Sequence, residues 1–163
     1  MGTRGTVAVK IGNITKGSYN HWDSYPEELG NKVLEYIKAI RVAGMSEARR
    51  QARLLQEVPK RKPTAAQIEK LAPYTDLGVS EGTTQDWYCL LRKTQGDLKL
   101  ILEAGYYYPC EVGEEEWSYV VDFDTDTLAV YEGSVMIAII PFDRLPDRFV
   151  DDRLSNIGDL RVT

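Results

Sequence analysis

Residues 6–22, TVAVKIGNITKGSYNHW, decide the fold. TVAVKI (6–11) alternates and is rich in β-branched residues, which reads as a strand. Gly12-Asn13 is a turn signal, and Ile14–Trp22 returns as the second strand of a hairpin. A two-residue turn sets Ile11 opposite Ile14, Thr6 opposite Tyr19 and Arg4 opposite His21. Side chains alternate across a strand, so Arg4, Thr6, Tyr19 and His21 then share one face. Val7, Val9 and Trp22 take the other. Gly17 is a place where a bulge would shift this register.

Beyond the hairpin the period changes. Ser24-Tyr25-Pro26-Glu27 suits a first helical turn, and Leu29, Val33, Tyr36, Ile37 and Ile40 form one apolar stripe that Gly44 ends. Ser46-Glu47 starts a second helix that carries Arg49, Arg50 and Arg53. Pro59–Pro63 is a loop, and Thr64-x-x-Gln67 resembles a capping box for a third helix. Residues 73–84 read as a long loop of the kind that often carries function. Helical stretches follow over 86–94 and 97–105. WSYVVDF (117–123), LAVYE (128–132) and VMIAIIPF (135–142) read as three strands, and the charged tail from Asp143 as the cover of an edge. The order predicts a single α+β domain over residues 1–163. Its mostly antiparallel sheet is built from the N-terminal hairpin and the C-terminal strands, with a central helical segment between them.

The chain has 163 residues, 43% apolar and 28% charged, with a net charge of -5. That balance excludes general nucleic-acid binding, which needs a basic face, but leaves room for a local basic patch on one small phosphorylated ligand. Cys89 and Cys110 stand in no metal-ligand spacing and read as reduced thiols. No apolar run reaches the roughly 18 residues of a membrane span, and MGTR lacks the apolar core of a secretory signal. A cytoplasmic protein with no membrane partner is expected.

MGTRG at the start, YNHWDSYPxxLG after the hairpin, PYTDLGVS, DWYCLLRxxQGDL and the late WSYVV strand resemble a family of short proteins of phages, bacteria and fungi. The resemblance covers roughly residues 1–40, 63–105 and 115–133. It implies that Thr3, Arg4, His21, Trp22, Asp23, Tyr25, Asp76, Asp86, Trp87 and Tyr88 belong to the family pattern. A further likeness, architectural only, is to N-terminal-nucleophile hydrolases. Those need Cys, Ser or Thr as the first mature residue. Here removal of Met1 exposes Gly2, so Thr3 serves only if Gly2 is also lost.

His21 is the sole histidine, and Asp23 follows at i+2, a spacing that puts both on one strand face. Histidine acts near neutral pH as acid or base, and an aspartate can orient it. The same residues equally describe a hydrogen-bonded strand histidine followed by an Asp helix cap. Asp122, Asp124 and Asp126 alternate, but the glycine and glutamate of a calcium loop are absent in register, so DFDTDT reads as a hairpin turn. No metal and no cofactor is expected. Tyr25 and Tyr74, each beside a proline, are candidates to stack on a base.

The favoured expectation is a small-molecule-binding protein that holds a phosphate-bearing, nucleotide-derived ligand. Arg4, helped by Arg49 or Arg50, takes phosphate. Tyr19, Trp22, Tyr25 and Tyr74 stack, while His21, Asp23 and Asp76 read polar edges. The phage membership of the resembling family suggests sequestration of a host immune nucleotide. The first alternative is a hydrolase, a metal-independent phosphodiesterase or amide hydrolase, with His21, Asp23 and Thr3 as catalytic residues. The second is a protein-interaction module, and self-association as a homo-oligomer stays open.

Overall fold

The structure is a computed structural model, and it describes residues 2–150. The part of the charged tail beyond Val150 lies outside the described residues.

The first hairpin pairs β1 (Gly5–Ile11) with β2 (Ile14–Asn20) in the expected register, Ile11 opposite Ile14 and Thr6 opposite Tyr19. Gly12 and Asn13 both have positive φ, 60° and 61°, the conformation whose twist matches that of the flanking strands. The carboxylate of Asp124 accepts the Gly12 and Asn13 N–H groups at 2.8 Å each. These bonds hold its pKa below the usual carboxylate range. Pairing stops at Gly5 and Asn20, so Arg4 and His21 lie just past the ladder. Gly17 hosts no bulge. A Cβ there would collide with the Cys110 carbonyl oxygen, and the glycine is needed because another segment crosses it.

Pro26–Gly30 forms a π-helical turn that leads into α1 (Asn31–Ala43), followed by α2 (Ser46–Leu54) and the two-residue strand β3 (Gln56–Glu57). In α3 (Ala65–Leu71) the predicted capping box is complete. Thr64 Oγ1 accepts the Gln67 N–H, and Gln67 Oε1 accepts the Thr64 N–H. Asp86 and Asp97 cap α4 (Trp87–Leu91) and α5 (Leu98–Ala104), and Gly105, left-handed, ends α5. Then come β4 (Tyr106–Tyr107), β5 (Trp117–Asp122), β6 (Thr127–Glu132) and β7 (Val135–Pro141).

The main sheet runs β2-β1-β5-β6-β7. It is antiparallel except at its centre, where β1 and β5 are parallel. A parallel pair needs a long crossover, and the helical segment supplies it. The fold is therefore α+β, with the N-terminal hairpin beside the C-terminal strands.

Val7, Val9, Tyr119, Val121, Leu128 and Ile140 face the helices and are buried with Leu34 and Ile37 of α1. Each such aliphatic side chain contributes about 1.5–3 kcal/mol on burial. A second cluster joins Leu71, Trp87, Leu90, Leu91 and Ala104. After β4 the chain forms a strap along the outer edge of β2. Tyr19 N–H donates to Tyr108 O at 3.0 Å, and Cys110 N–H to Gly17 O at 2.9 Å. The strap then folds over the sheet, where Thr6 Oγ1 lies 2.9 Å from Cys110 Sγ. Both cysteines are free and buried. The three aspartates of DFDTDT go separate ways. Asp122 accepts the Asp124 and Thr125 N–H groups, Asp124 holds the first hairpin turn, and Asp126 pairs with Arg49 at 3.0 Å.

Candidate ligand-binding site

The end of β2 is built to turn sharply. Asn20 Nδ2 donates to Trp22 O at 2.6 Å and to Ser24 Oγ at 2.9 Å, which folds the chain back after the last paired residue. His21 is held at both ends. Its N–H donates to Gln95 Oε1 at 3.0 Å, and its Nδ1 lies 2.8 Å from Tyr19 Oη. Trp22 meets the imidazole edge-on at 4.6 Å between centroids, and Tyr19 lies 5.8 Å away on the other side. Tyr88 follows at 6.4 Å from Tyr19, and Tyr108 at 5.4 Å from Tyr88. Five rings thus run in contact from Trp22 to Tyr108. Four of them, His21, Trp22, Tyr88 and Tyr108, line a pocket of about 450 Å³ that Val79, Ser80 and Arg92 complete.

Each ring has a distinct anchor. The Asp86 cap accepts the Tyr88 N–H at 3.0 Å and fixes the start of α4. The strap places Tyr108, and a 3₁₀ turn after α4 places Arg92. Arg4 leaves the sheet one residue before β1 and is exposed. Among the described residues neither Arg4 nor Arg92 has a carboxylate within ion-pair distance.

The electrostatics follow from this crowding. Burial lowers the His21 pKa, and the guanidinium groups of Arg4 and Arg92 lower it further. Burial raises the Tyr19 pKa, against a smaller downward pull from Arg4. At neutral pH the imidazole is uncharged and the phenol keeps its proton. In the tautomer in which Tyr19 donates to Nδ1, Nε2 bears the ring proton. His21 then offers a donor rather than a base.

Four of the residues expected from the sequence meet here: Arg4, Tyr19, His21 and Trp22. Asp23 does not join them. The strand has ended, Asp23 has a φ of 56°, and its carboxyl interacts with Glu28, whose pKa rises through burial first and Asp23 next. It shares no face with His21 and does not orient it. Its main-chain carbonyl accepts the Leu29 N–H at 3.1 Å. Tyr25 packs against the main core and Tyr74 against the second cluster, so both serve packing. Asp76 accepts the Gly78 N–H at 2.8 Å and shapes its own loop. Thr3 is buried, its carbonyl accepts the Ser24 N–H, and its Oγ1 has no partner among the described residues. Arg49 is bound to Asp126 and Arg50 to Glu47 at 2.6 Å, so the cation that lines the pocket is Arg92 instead.

Sequence reasoning missed Arg92, Gln95 and Tyr108 and gave Tyr88 no role in the site. All but Tyr108 lie in DWYCLLRKTQ, where Trp87, Cys89, Leu90 and Leu91 are core, Tyr88 and Arg92 line the pocket, and Gln95 accepts the His21 N–H. No helix among the described residues is long and apolar enough to cross a membrane. No protein-family model, no curated protein and no solved structure matches the chain.

Proposed function

We propose that the His21 pocket binds a compact, phosphate-bearing, nucleotide-derived ligand. One observation carries the reading: Arg92 lines an aromatic pocket at a neutral His21, Arg4 acts electrostatically on the same imidazole, and neither guanidinium has a carboxylate partner among the described residues. Arginines suit phosphate because their planar fork donates two hydrogen bonds at once. Tyr88, Tyr108 and Trp22 offer ring faces to a base, and His21 Nε2–H and Tyr19 Oη its polar edges. A volume of about 450 Å³ falls within the range of small-molecule sites.

Retention rather than turnover is favoured because no carboxylate hydrogen-bonds His21 among the described residues and Thr3 is buried. The biological setting, a phage protein that sequesters a host immune nucleotide in the cytoplasm, rests on the sequence resemblance.

The test is calorimetry against nucleoside mono-, di- and triphosphates and cyclic dinucleotides, with mass spectrometry of what the denatured complex releases. At least one of them should bind and be released unchanged. Arg4→Ala should weaken it by about 10- to 150-fold, the worth of charge-assisted bonds of roughly 1.5–3 kcal/mol. The melting temperature should barely move. Equal affinity in the variant would remove the proposed phosphate site. Turnover by wild type that vanishes in His21→Gln, while the complex still forms, would replace the binder with a hydrolase.

A further inference from the structure

The sheet face opposite the helices is not composed like a solvated one. A one-sided sheet alternates apolar residues toward its helices and polar residues toward water. Here the outward positions at the centre are Ala8, Val120 and Ala129, buried together with Val112 and Tyr131 packed against them. The side chains are small in the middle and the borders are raised. The strap through Pro109 and Cys110 forms one wall, and Met136 and Ile139 of β7 form the other. The result is a groove of about 560 Å³.

Its charge is opposite to that of the His21 pocket. Glu57, Glu111 and Asp122 line it, against one cation, Lys10. Lys10 stands 4.0 Å from Asp122, which leaves Glu57 and Glu111 without an ion pair among the described residues. Tyr107 and Tyr131 line the same groove. Carboxylates draw in a cation, and tyrosine faces hold it at contact. The alanine and valine floor supplies an apolar bed.

We propose that this groove is a second binding site, one that takes a compact organic cation with an apolar body. The inference is independent of the reading of the His21 pocket.

Benzyltrimethylammonium serves as the probe and 3-phenylpropionate as its anionic counterpart of similar size, both followed by calorimetry and by amide shifts. The cation should bind saturably, shift the Val120 and Ala129 amides, and bind at least tenfold more tightly than the carboxylate. The double variant Glu57→Gln/Glu111→Gln should weaken it at least tenfold. Ala129→Trp should fill the groove and abolish binding. If that variant fails to fold, the double variant, made at two exposed positions, still decides the matter. The proposal is overturned by no saturable binding below about 10 mM, by equal or tighter binding of the carboxylate, or by unchanged affinity in the double variant. A reversible dimer in sedimentation that Ala129→Trp disrupts would also overturn it, since the face would then be an interface between copies.

Discussion

The His21 pocket and the sheet groove share one wall and differ in charge. Tyr108 lines the pocket, while Tyr107, Pro109 and Cys110 line the groove. Alternation along one extended segment thus sends neighbouring tyrosines into two environments. Arg92 lines the pocket and Arg4 acts on its imidazole, neither paired with a carboxylate among the described residues, whereas the groove has an excess of carboxylates. A net charge of -5 describes neither region, and a chain that is acidic overall still holds a cationic pocket. The electrostatics that matter to a small ligand are set within a few ångströms, because solvent and salt screen the rest.

The largest effect should come from the wall itself. Gly17→Val would drive a side chain into the Cys110 carbonyl and push the strap away. Overpacking of this kind should cost about 3 kcal/mol, seen as a lowered denaturation midpoint, and both sites should weaken together. A stable variant with one site intact would break the idea of a shared wall.

Arg92→Ala should sharpen the contrast. Loss of its charge-assisted bonds should cost about 2 kcal/mol in nucleotide affinity and reduce the salt dependence of binding. The organic cation should bind as before. Calorimetry at two salt concentrations separates these outcomes, and a matching loss in the groove would mean the regions are coupled.

Trp22→Ala should act on the pocket alone and more gently. Trp22 is 51% exposed, yet it covers the imidazole edge and lies against Gly2. Removing the ring should cost about 1 kcal/mol in affinity. It should also let His21 titrate nearer the ordinary histidine value, because burial is the first cause of its shift. An NMR titration of the single histidine reads this directly.

The smallest effect is on stability against pH. His21 has a lowered pKa in the folded chain, so the unfolded chain takes the proton first as the pH falls. The native state therefore loses this increment as the pH drops through about 6.5, the ordinary histidine range. Between about pH 8 and about pH 5 wild type should lose slightly more melting temperature than His21→Gln. Parallel curves would show that His21 is not held neutral.

The hairpin register was legible because two turn residues and strict alternation leave one solution. The α3 capping box was legible because it is local. The errors at the site share a cause. A strand extrapolated past Asn20 carried Asp23 to the wrong side, since nothing in NHWDS announces the left-handed φ of Asp23. Prolines beside Tyr25 and Tyr74 suggested exposed loops, and tertiary packing claimed both rings. Gly17 looked like a bulge because its real reason, the Cys110 carbonyl, lies more than ninety positions along the chain. Arg92 and Tyr108 reach His21 only through such long-range contacts.

The parallel pair at the centre of the sheet has a consequence for how the chain is made. The Gly12 amide bonds a carboxylate 112 residues later. A ribosome adding about 5–20 residues per second would add Gly12 roughly 6–22 s before Asp124 exists. In that interval β1 lacks its β5 neighbour, although α1 and α2 follow the hairpin closely and are made well before Asp124. Docking of the last three strands then closes a loop of over a hundred residues, which places folding among the slow, non-local topologies. During synthesis the first strand pair waits with one edge of β1 open for its partner from the C-terminal half, and that interval is when a chaperone would matter most.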